Sequence, residues 1–208
     1  MDVFAALRAR TSANRFDTSR SLSEDEIREL ISYATEAPSS FNIQHWRFVA
    51  IVRPADKARL RAAAFNQREV DEAAVVFIIL GDVRAHERLG VTLDRSVAAG
   101  ILDAAARDRW VANADRAYGE NAALARDEAI RSASLAAMIL MIAAQAKGLA
   151  SGPIIGFDSA AVAREFAIAE RYLPVMLLTV GYPAPGNWPR QPRLSVDEVL
   201  AFHRAREF

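Results

Sequence analysis

The sequence predicts an α+β fold, on three observations. Short apolar runs of strand length are mixed with longer stretches at helical spacing, without the regular strand–helix–strand alternation of a parallel sheet. Apolar residues make up 52% and charged residues 25% of the 208 residues, a composition that buries a core. A chain of this length buries roughly 70% of its unfolded surface, so a single domain over 1–208 needs no metal or disulfide to hold it.

The elements follow in order. A short helix over 4–10 runs into a polar loop over 11–21. Ser23 and Glu26 form a capping box, and Ile27, Leu30, Ile31 and Ala34 repeat at helical spacing until Pro38. A polar loop over 39–44 leads to a strand over 48–52. Pro54 fits the first turn of a helix reaching about Ala64. The apolar, β-branched run 73–80 predicts a central strand covered on both faces. Residues 82–121 mix Arg, Asp and Ala with isolated Leu93, Trp110 and Tyr118, which predicts loosely packed helices: a cover at about 83–121. A long helix over 128–147, apolar nearly all round, must be surrounded by its own domain or by a partner subunit, and Gly148 stops it. Residues 151–158 read as a turn-rich connector. Then come a helix over 159–168, a strand over 174–180 broken by Gly181-Tyr182-Pro183, and a last helix capped by Ser195 with Glu198.

Composition excludes several functions. Lys and Arg total 26, as do Asp and Glu, so the zero net charge argues against a duplex-nucleic-acid binder. The absence of cysteine excludes disulfides, thiolate nucleophiles and Cys-ligated metals, and His45, His86 and His203 alone argue against a zinc site. The acidic, interrupted start does not read as a secretory signal, and the uncharged run 132–146 is shorter than the ~20 residues a bilayer needs. The expectation is a cytoplasmic protein with no metal, membrane or nucleic-acid partner. No P-loop, GxSxG, HExxH or GxGxxG motif is present.

Three clusters could carry chemistry. Arg8, Arg10, Thr11 and Ser12, with Arg190 and Arg193, suit a phosphate dianion or are solvated surface. The stretch from Pro38 to Trp46 (Pro-Ser-Ser-Phe-Asn-Ile-Gln-His-Trp) offers amides and hydroxyls to a heteroaromatic edge, or is a helix-terminating loop bonded to itself. Asn66 adds an amide or is a helix C-cap. Gly152-Pro153-Ile154-Ile155-Gly156 lets backbone approach a flat ligand, or is an ordinary turn.

Together these pieces resemble the FMN-dependent nitroreductase family. The opening Arg10-Thr11-Ser12-Ala13-Asn14-Arg15-Phe16 is similar to the family's Arg-Arg-Ser-x-Arg-x-aromatic. The stretch from Ala37 to Trp46 is similar to its Ala-Pro-Ser-Ser-x-Asn-x-Gln-Pro-Trp signature. Phe65-Asn66-Gln67, the turn over 153–158, Gly181-Tyr182-Pro183 and the C-terminal arginines follow in order.

The resemblance implies a mainly antiparallel sheet flanked by helices, in an intertwined homodimer whose C-terminal segments wrap the partner and whose two FMN sites lie at the interface. It implies that Arg10 and Ser12, with Arg190 or Arg193, bind the phosphate and ribityl chain, Thr11 through its backbone. Asn14 would face the flavin N1–O2 edge, and Asn66 the pyrimidine side. Ile155 and Gly156 would bring backbone N–H groups towards flavin N5, with Pro153 and Ile154 also in the cofactor site, while Pro38, Ser39, Ser40 and Asn42 approach from the other subunit. Phe41, Trp110 and Tyr118 are the candidate walls of a substrate slot.

The implied activity moves hydride from NAD(P)H through flavin N5 to nitroaromatic, quinone or similar small-molecule acceptors by a ping-pong scheme, with no side chain as catalyst. The alternatives are a non-catalytic flavin-binding module, or a flavoenzyme of the same fold that dehydrogenates or dehalogenates. The chain departs from the pattern in three places: Asn14 stands where Arg or Lys is usual, His45 replaces the commoner Pro, and Arg190 and Arg193 are offset from the usual spacing.

Overall fold

The computed structural model describes residues 1–204. It begins with α1 (Val3–Ala9) and α2 (Glu24–Ala34), the latter opened by the expected Ser23–Glu26 capping box. Strand β1 (Trp46–Ile51) is followed by α3 (Pro54–Ala63), with Pro54 in its first turn, a single-turn α4 (Glu69–Glu72) and β2 (Val75–Asp82). Helices α5 (Leu89–Ala98) and α6 (Ala104–Ala114) lead through a π-helical turn, Asp115–Gly119, into α7 (Ala122–Ala146). The chain closes with β3 (Ala150–Ile154), α8 (Ser159–Glu165) and β4 (Tyr172–Gly181).

The strands form one antiparallel sheet in the order β1-β2-β4-β3. Every residue of β2 is buried, and the reason is its period of two. Val75, Phe77 and Ile79 enter a core with α2 and α7. Val76, Ile78 and Leu80 enter a second core on the opposite face with Leu60 of α3 and Val162 of α8. Pro174 lies within an inner strand, which costs a ladder hydrogen bond. The register shifts at that point, where Ile79 faces Met176 and Leu80 faces Pro174, so the proline occupies an irregularity.

The structure corrects four expectations. Residues 151–158 are not all turn: 150–154 pair with β4 as the edge strand β3, with Gly152 and Ile154 buried on one face and Pro153 exposed on the other. The long helix starts at the Asn121 cap, ahead of Glu128, and the cap bonds the Leu124 N–H. It is therefore 25 residues long, apolar and long enough to cross a membrane, yet it packs on α2 and β2 with Glu128 and Ser132 buried. Its buried face is mainly alanine, which brings it close to the sheet, while Leu135, Met138 and Ile139 stay exposed. The 83–121 segment is not a loose cover; Leu89, Leu93, Ala114, Tyr118 and Ala125 form a third core with Ile43. The tail at Ser195 makes only a 3-10 turn, Val196–Glu198, although the capping box is present.

Candidate functional site

The expected site residues fall into two groups, on opposite edges of the sheet. The first gathers at β3. The extended segment after α1 lies along it: Ser12 bridges Ser151, and the Ala13 N–H donates to the Ser151 carbonyl at 2.9 Å. Gly152 makes this possible, since a Cβ there would stand 2.3 Å from the Ala13 carbonyl oxygen. The turn after β3 is tied to the loop after α3: Asp158 N–H donates to Ala63 O at 2.8 Å, and Gln67 Nε2 to Gly156 O at 2.7 Å. Phe65 and Asn66 hold left-handed φ values of 52° and 60° there, exposed beside Ile155 and Gly156. Pro153 and Ile154 lie in β3 itself, the first outward and the second in the core.

The electrostatics of this edge are unbalanced. Arg190 donates to the Leu7 and Arg8 carbonyls at the end of α1, at 2.7 and 2.9 Å, where a cation meets the negative end of the helix dipole. Arg193 donates to its own tail carbonyls, Gln191 O and Pro192 O. Burial, and then the nearby charges of Arg190 and Arg193, push the Arg10 guanidinium below its ordinary pKa. Its Nη1 is buried and unpartnered among the described residues, as is Asn14 Oδ1. Three arginines that repel one another, one with an orphaned donor, are what an anion would stabilise. A polar ring edge would satisfy Asn14.

Sequence reasoning missed the residue that fixes this segment. Asn187 Oδ1 accepts from the Asn14 and Arg15 N–H groups at 2.8 and 3.0 Å. Its Nδ2 donates to the Arg15 and Ala184 carbonyls at 2.9 and 3.0 Å. One amide side chain thus clamps backbone 172–173 residues away. The only local signal is its place between Gly186 and Trp188-Pro189, which reads as a turn.

The second group lies beside β1. After Pro38, the loop carries left-handed Phe41, Asn42 and Gln44, with φ of 51°, 57° and 58°. Ser39 Oγ steadies it by accepting from the Gln44 N–H at 2.9 Å. Phe41 meets Trp110 edge-on at 6.1 Å. Tyr118 is buried beneath the loop and its hydroxyl donates to Ser40 Oγ at 2.7 Å. With β2 and β4 between them, β1 and β3 are separated by roughly 14 Å at the ~4.8 Å strand spacing. One copy therefore does not bring Ser39, Ser40 and Asn42 to Arg10.

His45 anchors the loop from below, 2% exposed. Ser132 Oγ donates to Glu128 at 2.9 Å and lies 3.3 Å from His45 Nδ1, which makes that nitrogen the donor. Burial pushes the imidazole pKa down to about 4, against the opposing pull of Glu128 and Asp82. An unfolded histidine titrates near ~6.5. The neutral form is thus the folded one: the stability it permits is complete above pH ~6.5 and is lost as pH falls towards about 4. Across that window the native protein should lose about 3 kcal/mol more than His45→Gln, read from urea midpoints at successive pH values. Equal acid sensitivity of the two would contradict this assignment.

Comparison with known proteins matches this architecture. The model of the nitroreductase family matches residues 7–182. YodC of Bacillus subtilis, which carries the provisional name NAD(P)H nitroreductase, is 39% identical over 128 residues, 62% of this chain. The match covers 63% of YodC, and DrgA of Synechocystis is covered over 60% of its length, so the chain aligns with less than two thirds of these curated relatives. A provisionally named nitroreductase of Exiguobacterium sibiricum, solved in complex with FMN, superposes with a TM-score of 0.90 at 32% identity, covering 97% of both chains. With a family model matched from α1 through β4, this chain belongs to the nitroreductase family.

Proposed function

We propose that the chain is an FMN-dependent oxidoreductase that takes reducing equivalents from NADH or NADPH and delivers them to nitroaromatic, quinone or similar acceptors. The observation that carries this reading is the pair of orphaned polar atoms, Arg10 Nη1 and Asn14 Oδ1, on one segment held by β3 and Asn187. Arg10, Arg190 and Arg193 supply cations for a phosphate, and Ser12 and Thr11 a hydroxyl and backbone beside it. Asn14 and Asn66 supply amides to the ring edge, and 153–156 bring backbone along its face. FMN bound there would supply hydride acceptance and donation, so no side chain need act as nucleophile. The FMN complex of the Exiguobacterium relative supports the choice of ligand.

The reading requires two copies. The second group of residues lies on the far sheet edge, so Pro38, Ser39, Ser40 and Asn42 would reach the ring from a partner. Exposed Leu135, Met138 and Ile139 on α7, with Phe4 and Leu7 on α1, offer an apolar surface for that partner. The exposed tail with Trp188, Leu194, Val199 and Phe202 offers an arm to wrap it. Phe41 and Trp110 would then stand over the ring as walls of the acceptor slot.

The test is to reconstitute the purified protein with FMN and mix it anaerobically with NADPH, then with NADH. The expected result is a dimer whose visible flavin band bleaches with at least one of them and returns on adding a quinone. Bound flavin that neither nucleotide reduces would leave a binding module and end the reductase reading.

A further inference from the structure

We infer that Tyr118 is a positioning residue: through Ser40 it holds the loop from Ser39 to Gln44 in the conformation that presents its hydroxyls. The inference rests on the FMN reading for what the loop presents them to, and on geometry alone for the positioning.

Tyr118 lies in the π-helical turn Asp115–Gly119, a rare and wide turn that interrupts the passage from α6 to α7. The turn sets the phenol ring inside the third core, 7% exposed, edge-on to His45 at 5.9 Å and tilted against His86 at 6.3 Å. From there its hydroxyl donates to Ser40 Oγ at 2.7 Å across 78 residues of sequence. Ser40 Oγ has accepted that hydrogen, so its own is left to donate outward.

The loop needs such a hold. Phe41, Asn42 and Gln44 all take left-handed backbone, which is uphill for residues with a Cβ and persists only where the surroundings over-determine it. Internal restraints come from Ser39, whose carbonyl accepts from the Asn42 N–H at 3.0 Å and whose Oγ accepts from the Gln44 N–H at 2.9 Å, and from the Ser40 carbonyl, which accepts from the Ile43 N–H at 2.9 Å. Arg47 of β1 holds the far end, donating to the Gln44 carbonyl at 2.8 Å, and the 83–121 segment holds the middle, Tyr118 on Ser40 and Trp110 on Phe41. This gives Tyr118 a task distinct from lining the slot, and it gives the segment a reason to carry a core of its own: it is the rigid base of the loop.

The experiment compares wild type, Tyr118→Phe, Ser40→Ala, Ser40→Thr and the Tyr118→Phe/Ser40→Ala double variant as full-length protein. Without FMN, amide hydrogen exchange is read at Asn42 and Gln44 against β2. Tyr118→Phe, which keeps both ring contacts, should speed exchange in the loop about tenfold while β2 stays as in wild type. With FMN, each of Tyr118→Phe and Ser40→Ala should weaken binding about tenfold, the double variant no more than either single, and Ser40→Thr should restore it.

Unchanged loop exchange in Tyr118→Phe overturns the inference, as does faster exchange spread evenly over loop and β2, which marks a general loss of stability. Single effects that multiply to about a hundredfold overturn the coupling. Wild type that binds no FMN sinks the functional reading instead, and the exchange data still decide the positioning.

Discussion

Arg10→Met should lower FMN affinity about a hundredfold while leaving the ligand-free protein as stable as wild type or more so. The opposite signs follow from one arrangement. Without ligand, the Arg10 guanidinium is partly buried and repelled by Arg190 and Arg193, and its Nη1 has no partner among the described residues, so its removal relieves unfavourable contacts. With a phosphate in place, the same group would make charge-assisted hydrogen bonds in a partly dehydrated site. Losing one partner of such a pair costs about 3 kcal/mol, which is about two decades in Kd. Fluorescence titration of FMN and thermal melts of the ligand-free protein check both halves. A variant that melts lower and binds FMN normally would make Arg10 a structural residue and move the phosphate elsewhere.

Gly152→Val should be more damaging still, destabilising the fold by about 4 kcal/mol and leaving the purified protein colourless. A Cβ at 152 would come within 2.3 Å of the Ala13 carbonyl oxygen and 2.8 Å of Thr179 Oγ1, which itself donates to the Gly152 carbonyl. The first neighbour is backbone, so the segment after α1 must lift off β3, taking Arg10, Ser12 and Asn14 with it. The clamp from Asn187 would then pull against the displaced strand. Gly156→Ala is the control in the same region, because a Cβ there meets only Gln67 Nε2 at 3.7 Å, and it should melt within a few degrees of wild type. Similar losses in both variants would mean that general crowding, and not the docking of that segment, governs the result.

Much of this molecule is legible in its residues, and the failures have physical causes. Ser23 and Glu26 announce α2 because the capping interaction is local. Pro54 and the apolar run of β2 announce their elements for the same reason. Strand β3 escapes because Ser-Gly-Pro-Ile reads as a turn, and only its pairing with β4 and the backbone of Ala13 makes it a strand. The 83–121 segment escapes because its apolar residues are sparse and meet only in three dimensions, around Ile43 from another part of the chain. Asn187 escapes because both of the distant backbones it binds lie more than 170 residues away.

By itself, the sequence determined a composition that buries a core, the helices and strands announced by local caps and periodicity, and the motif residues through which the family is read. Only the tertiary structure decided that Arg10 and Asn14 carry polar atoms without a partner among the described residues on the β3 edge, while Ser39, Ser40 and Asn42 stand on the opposite edge with Tyr118 beneath them. The reason is range: caps and periodicity are settled between residues a few positions apart, whereas burial and the pairing of polar atoms are settled by whatever the fold brings into contact.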